Sequence, residues 1–280
     1  GDDEAGKILK DILEKEDIKY NFGIDSKTTL KVRRRAGNQQ ISRDDYEDKS
    51  LKIFDDKTKE FLSSELQSSD VVLVSDYAKG AVTDDLMNFL RSFGKKIIID
   101  PKPSNINLYF NSYLITPNEK EALEMSGKDT VESAGRFLRE KLNSNILITR
   151  GDKGMYLFTD KELSIPSYAR EVYDVTGAGD TVIAALSLSL ASGASLEEAA
   201  IIGNYAAGIA VSKIGTYSVR FDELRKKILG EEEKVKTFGE LLDITSRLKQ
   251  EGRKIVWTNG CFDILHSGHA RYLRRAKDLG

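Results

Sequence analysis

The chain has 280 residues, 40% hydrophobic and 31% charged, with four prolines, a length for one large domain or about two ordinary ones. Its 43 Lys and Arg stand against 45 Asp and Glu, a formal net charge of −2, which leaves no electrostatic footprint for nucleic acid or an anionic membrane. The single cysteine, Cys261, excludes an internal disulfide framework, and the longest apolar stretch, around residues 184–191, is broken by Ser187 and Ser189 and is too short to cross a bilayer. No basic-then-apolar segment opens the chain, so a cytoplasmic α/β protein is expected.

Ala5, Ile8, Leu9, Ile12 and Leu13 follow the spacing of an amphipathic helix. Asp2, Asp3 and Glu4 complement its amino-terminal dipole. A helical pattern that starts almost at Gly1 leads us to expect a piece of a longer protein. Residues 18–24, 28–34 and 39–42 read as extended segments of a small sheet, and a charged helix is expected over 55–66. The pattern then changes. Residues 71–74 and 97–99 are short apolar runs ending at Asp76 and Asp100, while 113–115 and 146–148 end in polar residues. Helical stretches at 84–93, 119–126 and 131–142 lie between them. Apolar strands alternating with helices predict a parallel sheet covered on both faces, whose ligands gather beyond the carboxyl ends of the strands.

Residues 155–158 and 162–165 read as hairpin strands, followed by a long helix from Ala178 to Ser192 stopped by Gly193. A second helix starts at Ser195, with Glu198 completing a capping box. Residues 230–236, GEEEKVK, form a charged linker. Beyond it, Thr237 and Glu240 make a further capping box for a helix reaching Gly252. A strand at 254–258 and a helix from Ser267 complete the pattern, which reads as the opening of a second domain. The expected division is therefore 1–229, the linker 230–236, and 237–280.

The strongest chemical signal is Asp174-Val175-Thr176-Gly177-Ala178-Gly179-Asp180-Thr181, leading into the long helix. Gly177 and Gly179 let the backbone approach an anion, and the unpaired N–H groups of the first turn point outward. Asp180 falls in that turn, where a carboxylate could orient a hydroxyl attacking a γ-phosphate. The alternative is a glycine-rich turn with an aspartate serving the helix dipole.

This motif resembles the carboxyl-terminal signature of the ribokinase-like, or PfkB, carbohydrate kinases. The resemblance implies Asp180 as catalytic base and the backbone of Gly177, Ala178 and Gly179 as an anion hole. Thr116-Pro117-Asn118-Glu119-Lys120-Glu121 matches the family's NxxE element, implying that Asn118, Glu119, Lys120 and Glu121 border ATP and that Glu121 serves Mg2+ through water. An ordinary capped helix start is the alternative there. The family likewise implies nucleotide contacts for Thr149, Gly151 and Gly154 of the Thr149–Gly154 turn and for Asn204, with a plain hairpin turn as the alternative for the former. Arg35-Ala36-Gly37-Asn38-Gln39-Gln40, Ser75-Asp76-Tyr77-Ala78-Lys79-Gly80, Ile99-Asp100-Pro101-Lys102 and Glu171-Val172-Tyr173-Asp174 resemble the bacterial heptose-7-phosphate kinase branch. Lys79, Asp100 and Lys102 are its sugar or phosphate candidates, the lysines having a solvated surface role as their alternative.

The run Thr258-Asn259-Gly260-Cys261-Phe262-Asp263-Ile264-Leu265-His266-Ser267-Gly268-His269 holds the chain's two histidines. It resembles the opening motif of cytidylyltransferase-like nucleotidyltransferases, which implies that Asn259, Gly260, Phe262, His266 and His269 serve a triphosphate at a helix amino terminus. The expected fold is thus α/β, a ribokinase-like doubly wound sheet with a small β lid, followed by the start of a Rossmann-like nucleotidyltransferase domain. The resemblance implies ATP, Mg2+ and a sugar phosphate as ligands, a homodimer, and transfer to the anomeric hydroxyl of a heptose 7-phosphate. A kinase for another sugar or a nucleoside, and a non-catalytic nucleotide-binding fragment, are the competing readings. The family's Gly-Gly-Ala-Ala-Asn-like sugar motif and the later part of the nucleotidyltransferase have no counterpart in these residues, which again leads us to expect a fragment.

Overall fold

The computed structural model describes residues 2–22, 27–36, 39–46, 54–169, 172–229, 238–259 and 267–279. The chain divides into two compact units, Gly1–Ile228 and Leu229–Gly280. The first opens with α1 (Glu4–Lys15), capped by Asp3. The Asp3 carboxylate accepts from the N–H of Gly6 and of Thr28, both at 2.8 Å. Those backbone bonds hold its pKa down to about 2 and tie the helix to the residues entering a two-stranded antiparallel sheet, β1 (Leu30–Ala36) and β2 (Gln39–Tyr46). The register of that ribbon shifts between Arg34 and Arg35. The extended segment expected at 18–24 is not a strand over 18–22, and 23–26 lie outside the described residues.

The main sheet is built from β3 (Val71–Ser75), β4 (Lys96–Asp100), β5 (Leu114–Ile115), β6 (Asn145–Thr149), β7 (Met155–Phe158) and β8 (Glu162–Ile165), in that spatial order. The first four strands run parallel, and β7 and β8 fold back antiparallel. Parallel neighbours need crossovers. These are α3 (Asp84–Ser92), a 3-10 turn at Pro103–Leu108, and α4 (Glu119–Ser126) with α5 (Val131–Leu142). Side chains alternate across each strand. Ile97, Ile99, Ile146 and Ile148 therefore pack with Met87, Leu90, Leu138 and, from α2 (Asp56–Ser68), Leu66. Ile98, Leu114, Leu147 and Leu157 pack on the other face against Val182, Ile183 and Leu186 of α6 (Ala178–Ala191) and Ala199 of α7 (Leu196–Ala210). Helices thus cover both faces. Ser195 and Glu198 form the expected capping box of α7, and α8 (Phe221–Leu229) follows.

The second unit contains α9 (Phe238–Gln250) and α10 (Ser267–Asp278). The strand expected at 254–258 is not formed; those residues are irregular, with no strand partner among the described residues of the unit. A strand exists by pairing, so apolar alternation alone does not make one. The linker 230–236 and Thr237 lie outside the described residues.

Candidate active site

The carboxyl ends of the parallel strands open into a cleft of about 220 Å³, lined by Tyr77, Asp100, Lys102, Thr116, Asn118, Glu121, Thr149, Gly177, Gly179, Asp180 and Val182. Local rules place each of these. β4 ends at Asp100, and Pro101 and Pro103 take the chain away from the strand, leaving Lys102 between them. β5 is followed by Thr116, whose hydroxyl donates to the carbonyl of Ile99 at 3.1 Å. Asn118 then caps α4: its side chain accepts from the N–H of Glu121 at 2.9 Å, and Glu121 Oε2 accepts from the N–H of Asn118 at 3.0 Å. The N–H of Thr149 donates to the carbonyl of Pro117 at 3.0 Å, joining the β5 and β6 ends.

Opposite this row stands the amino terminus of α6. Gly177 has φ of +78°, a left-handed conformation that suits glycine, and a Cβ there would lie 3.8 Å from the Thr216 methyl. Asp174 holds the approach, accepting from the N–H and hydroxyl of Thr176 at 2.9 and 2.6 Å and from the N–H of Gly215 at 3.1 Å. Ala178 N–H donates to Val175 and Thr181 N–H to Gly177. The N–H groups of Gly179 and Asp180 find no acceptor among the described residues, as the first turn of a helix leaves them. The cleft thus meets a helix terminus with open donors, and Asp180 is exposed beside them.

The charges in the cleft are unbalanced. Lys102 Nζ lies 2.6 Å from Glu121 Oε1. Partial burial opposes the ammonium, yet its bond to Glu121 leaves its pKa above the ordinary value. Burial pushes the Asp100 carboxyl up to about 6; repulsion from Glu121, and more weakly from Asp180 and Asp76, adds to this, while Lys102 acts against it. Asp76, at the end of β3, is 1% exposed. Its carboxylate accepts from the N–H of Ala78 at 2.7 Å, the amide of Asn105 at 2.8 Å and the hydroxyl of Tyr109 at 2.7 Å.

Several sequence candidates lie elsewhere. Glu119 points toward Lys153, 3.8 Å away, and Lys120 is exposed outside the cleft lining. Gly151 and Gly154 shape the turn after β6. A Cβ at Gly154 would lie 2.1 Å from the carbonyl oxygen of Ile165, a hairpin requirement that accounts for this glycine without a ligand. Asn204 is buried, donating to the carbonyl of Pro166 at 2.6 Å, and so fastens α7 to the end of β8 instead of facing the cleft. Lys79 is also outside the lining; its charge helps lower the carboxyl of Asp45 on β2, after the larger effects of the Arg43 hydrogen bond and charge and of Lys31. In the second unit the Tyr272 hydroxyl donates to the carbonyl of Asn259 at 2.9 Å, and His269 lies in the first turn of α10. Gly260, Phe262 and His266 lie outside the described residues, as do Gly37, Asn38 and Glu171. Tyr77, Asp76 and Tyr109 were not among the sequence candidates; an apolar run stopped by an aspartate and the Ser75–Gly80 resemblance pointed to Asp76 and Tyr77, and no signal pointed to Tyr109.

Comparison with known proteins shows the family and the fold. Residues 1–222 match the family described as pfkB family carbohydrate kinase, and residues 257–280 the family described as cytidylyltransferase-like. The bifunctional protein HldE of Campylobacter jejuni is 40% identical over 302 residues, covering 100% of this chain and 62% of that protein. Its namesake in Shewanella putrefaciens is 44% identical over 271 residues, covering 91% of this chain and 56% of the relative. The chain thus spans 56–62% of the length of these relatives. Ribokinase from Thermotoga maritima superposes with a TM-score of 0.66 at 25% identity, over 82% of this chain and 79% of that one. Phosphofructokinase-2 from Escherichia coli shares the fold, with a TM-score of 0.64 at 18% identity over 81% and 79% of the two chains. Among the described residues, no helix is long and apolar enough to cross a membrane. A match over 222 of 280 residues, together with a cleft built by the matching motifs, assigns the chain to the pfkB family of carbohydrate kinases.

Proposed function

We propose that this chain carries the kinase half of an enzyme that phosphorylates D-glycero-D-manno-heptose 7-phosphate at its anomeric hydroxyl, using ATP, to give the 1,7-bisphosphate. The observation that supports this reading best is the convergence of Asp180, Lys102 and Glu121 on one cleft at the open terminus of α6. In this reaction the anomeric hydroxyl gives its proton to Asp180, its oxygen bonds to the γ-phosphorus, and the bond from that phosphorus to ADP breaks. The open N–H groups of Gly179 and Asp180 and the Lys102 ammonium meet the charge on the transferring group, where fixed donors act most strongly. The heptose assignment rests on the similarity to bifunctional relatives and on the segment at 257–280 that matches a second family.

Among the described residues no group of three or more His, Cys, Asp and Glu side chains is arranged to cage a metal ion. That suits magnesium, which keeps most of its water and is held largely by substrate phosphates. Glu121 would hold the hydrated ion, and the ion when bound neutralises phosphate charge. For the second unit we propose a role for His266 and His269 in transfer of an adenylyl group to a sugar 1-phosphate in the longer protein, toward ADP-heptose for lipopolysaccharide core synthesis.

The test, in the longer protein, is transfer of labelled γ-phosphate to a panel of sugar 7-phosphates, free sugars and nucleosides, with wild type and Asp180→Asn compared. Wild type is expected to prefer the heptose 7-phosphate. Asp180→Asn should lower kcat by about a thousandfold or more, because base and positioning roles vanish together, while magnesium-ATP affinity stays within about threefold. A variant with near-normal kcat removes Asp180 from the mechanism; a preference for a nucleoside or another sugar replaces the substrate.

A further inference from the structure

Lys102 sits between Pro101 and Pro103. Proline has no backbone N–H, so the segment 101–103 has a single backbone donor, the N–H of Lys102. That N–H donates to the hydroxyl oxygen of Tyr109 at 2.8 Å. Tyr109 is fully buried, its ring packed in the core beneath the sheet, and its hydroxyl in turn donates to the buried Asp76 carboxylate at 2.7 Å. The Lys102 carbonyl accepts from Asn105 N–H at 3.0 Å, and the Asn105 amide reaches the same Asp76 oxygen at 2.8 Å. The Lys102 side chain then continues to Glu121 at 2.6 Å. One hydrogen-bonded chain therefore runs from the end of β3 through the loop after β4 to the cap of α4.

The donors to Asp76 are all neutral: a backbone N–H, an amide and a phenol. A carboxylate that is buried without a cation is costly unless each such bond is made, so the arrangement resists movement in any of its members. Tyr109 is the one that touches both the anchored carboxylate and the lysine backbone.

We propose that Tyr109 is a positioning residue for Lys102, using the buried Asp76 carboxylate as its anchor to fix where the ammonium stands in the cleft. The assignment rests on the kinase reading given above. Its consequence is a kinetic signature: loss of the phenol hydroxyl shifts the lysine without removing it, which affects the transition state, where sub-ångström placement counts, more than the binding of the nucleotide.

The experiment is a double-mutant cycle in the longer protein that carries this chain, on turnover and on the KM for magnesium-ATP, using wild type, Tyr109→Phe, Lys102→Met and the double variant. Tyr109→Phe should lower kcat on the order of tenfold and leave KM for ATP within about twofold. Lys102→Met should lower kcat further, and adding Tyr109→Phe to it should change kcat by less than about twofold, because the residue acts through the lysine. Effects that multiply, or an unchanged kcat in Tyr109→Phe, overturn the assignment while leaving the kinase reading in place. A wild type that neither binds nor turns over magnesium-ATP overturns the kinase reading and this assignment together. Should Tyr109→Phe fail to fold, Asp76→Asn takes its place in the cycle: its amide can still accept from Ala78 but cannot supply the second accepting oxygen, and the same lack of effect over Lys102→Met is expected.

Discussion

In the first unit Ile98, Ile99, Leu147 and Ile148 are completely buried between a sheet and its two helical layers. In the second, no described residue is buried, and Phe238 and Trp257 are 76% and 78% exposed. Both units carry segments that match a family; among the described residues, the packed frame belongs to the first. A catalytic constellation needs neighbours that lock its rotamers and backbone. The six-stranded sheet supplies such neighbours for the proposed site residues Asp100, Lys102 and Glu121 by fixing four strand ends side by side. α9, α10 and the irregular segment between them have no comparable sheet among the described residues.

The largest consequence is in hydrogen exchange. Amides of 97–99 and 146–148 should exchange more slowly than those of α9 and α10 by a factor of about 1,000 or more, because opening the core strands requires global unfolding whereas exposed helices open locally. Mass-spectrometric exchange of the whole chain measures both at once. Equal protection would break the contrast and show that the second unit shares the stability of the first.

Side-chain truncation sharpens the same contrast. Ile148→Ala removes a fully buried side chain packed against the α4 and α5 layer and should cost about 2–5 kcal/mol. Leu242→Ala on α9, where the side chain is 51% exposed, should cost less than about 1 kcal/mol. Urea denaturation of the two variants beside wild type decides it; a comparable loss from Leu242→Ala would mean that α9 is packed in solution.

The same contrast explains what could be read from residues alone. The apolar runs at 97–99 and 146–148, the hairpin of β7 and β8, and the capping box at Ser195 are local patterns whose partners lie within a few residues or across any covered sheet, and each formed where expected. The segment 254–258 has the same alternation, but a strand depends on a pairing neighbour, and none is provided among the described residues. Residues 18–22 fail likewise. In the cleft, the glycine-rich turn before α6 and the cap at Asn118 were legible because their geometry is set within four residues. The Asp76–Tyr109 bond joins residues 33 apart, and nothing local in a tyrosine at the end of a 3-10 turn announces it. The Asn204 bond is of the same kind: its partner is the carbonyl of Pro166, 38 residues away.

Asp100 provides a smaller effect with a defined sign. Its folded pKa of about 6 lies above the ordinary 3.8, so the native state binds its proton more tightly than the unfolded chain does. Stability linked to this group is therefore fully present below about pH 4 and is lost as pH rises through about 6. Asp100→Asn should stabilise the chain by on the order of 1–2 kcal/mol at pH 8, the figure being reduced for partial exposure, and the difference should vanish toward pH 4. Thermal melts of both proteins across that range measure it. A constant difference at all pH values would remove the charge of Asp100 as the cause.

The smallest effect expected is that of the second unit's histidines on the first unit's chemistry. His269 lies in the first turn of α10, His266 stands three residues before it, and the two belong to a unit separate from the cleft. Sites in separate compact units are expected to contribute independently, so the double substitution His266→Ala and His269→Ala should leave kinase turnover within about twofold of wild type. In the longer protein the same substitutions should lower adenylyl transfer by about a hundredfold or more, since donors placed at a helix terminus where phosphate charge develops carry contributions of that size. The measurement is both activities on one preparation. Parallel loss of the two would mean that the regions work as one site, and stoichiometric zinc binding that disappears with the histidines would replace a phosphate role by a metal one. Retained kinase turnover with lost adenylyl transfer would show that these histidines serve a chemistry separate from that of the cleft.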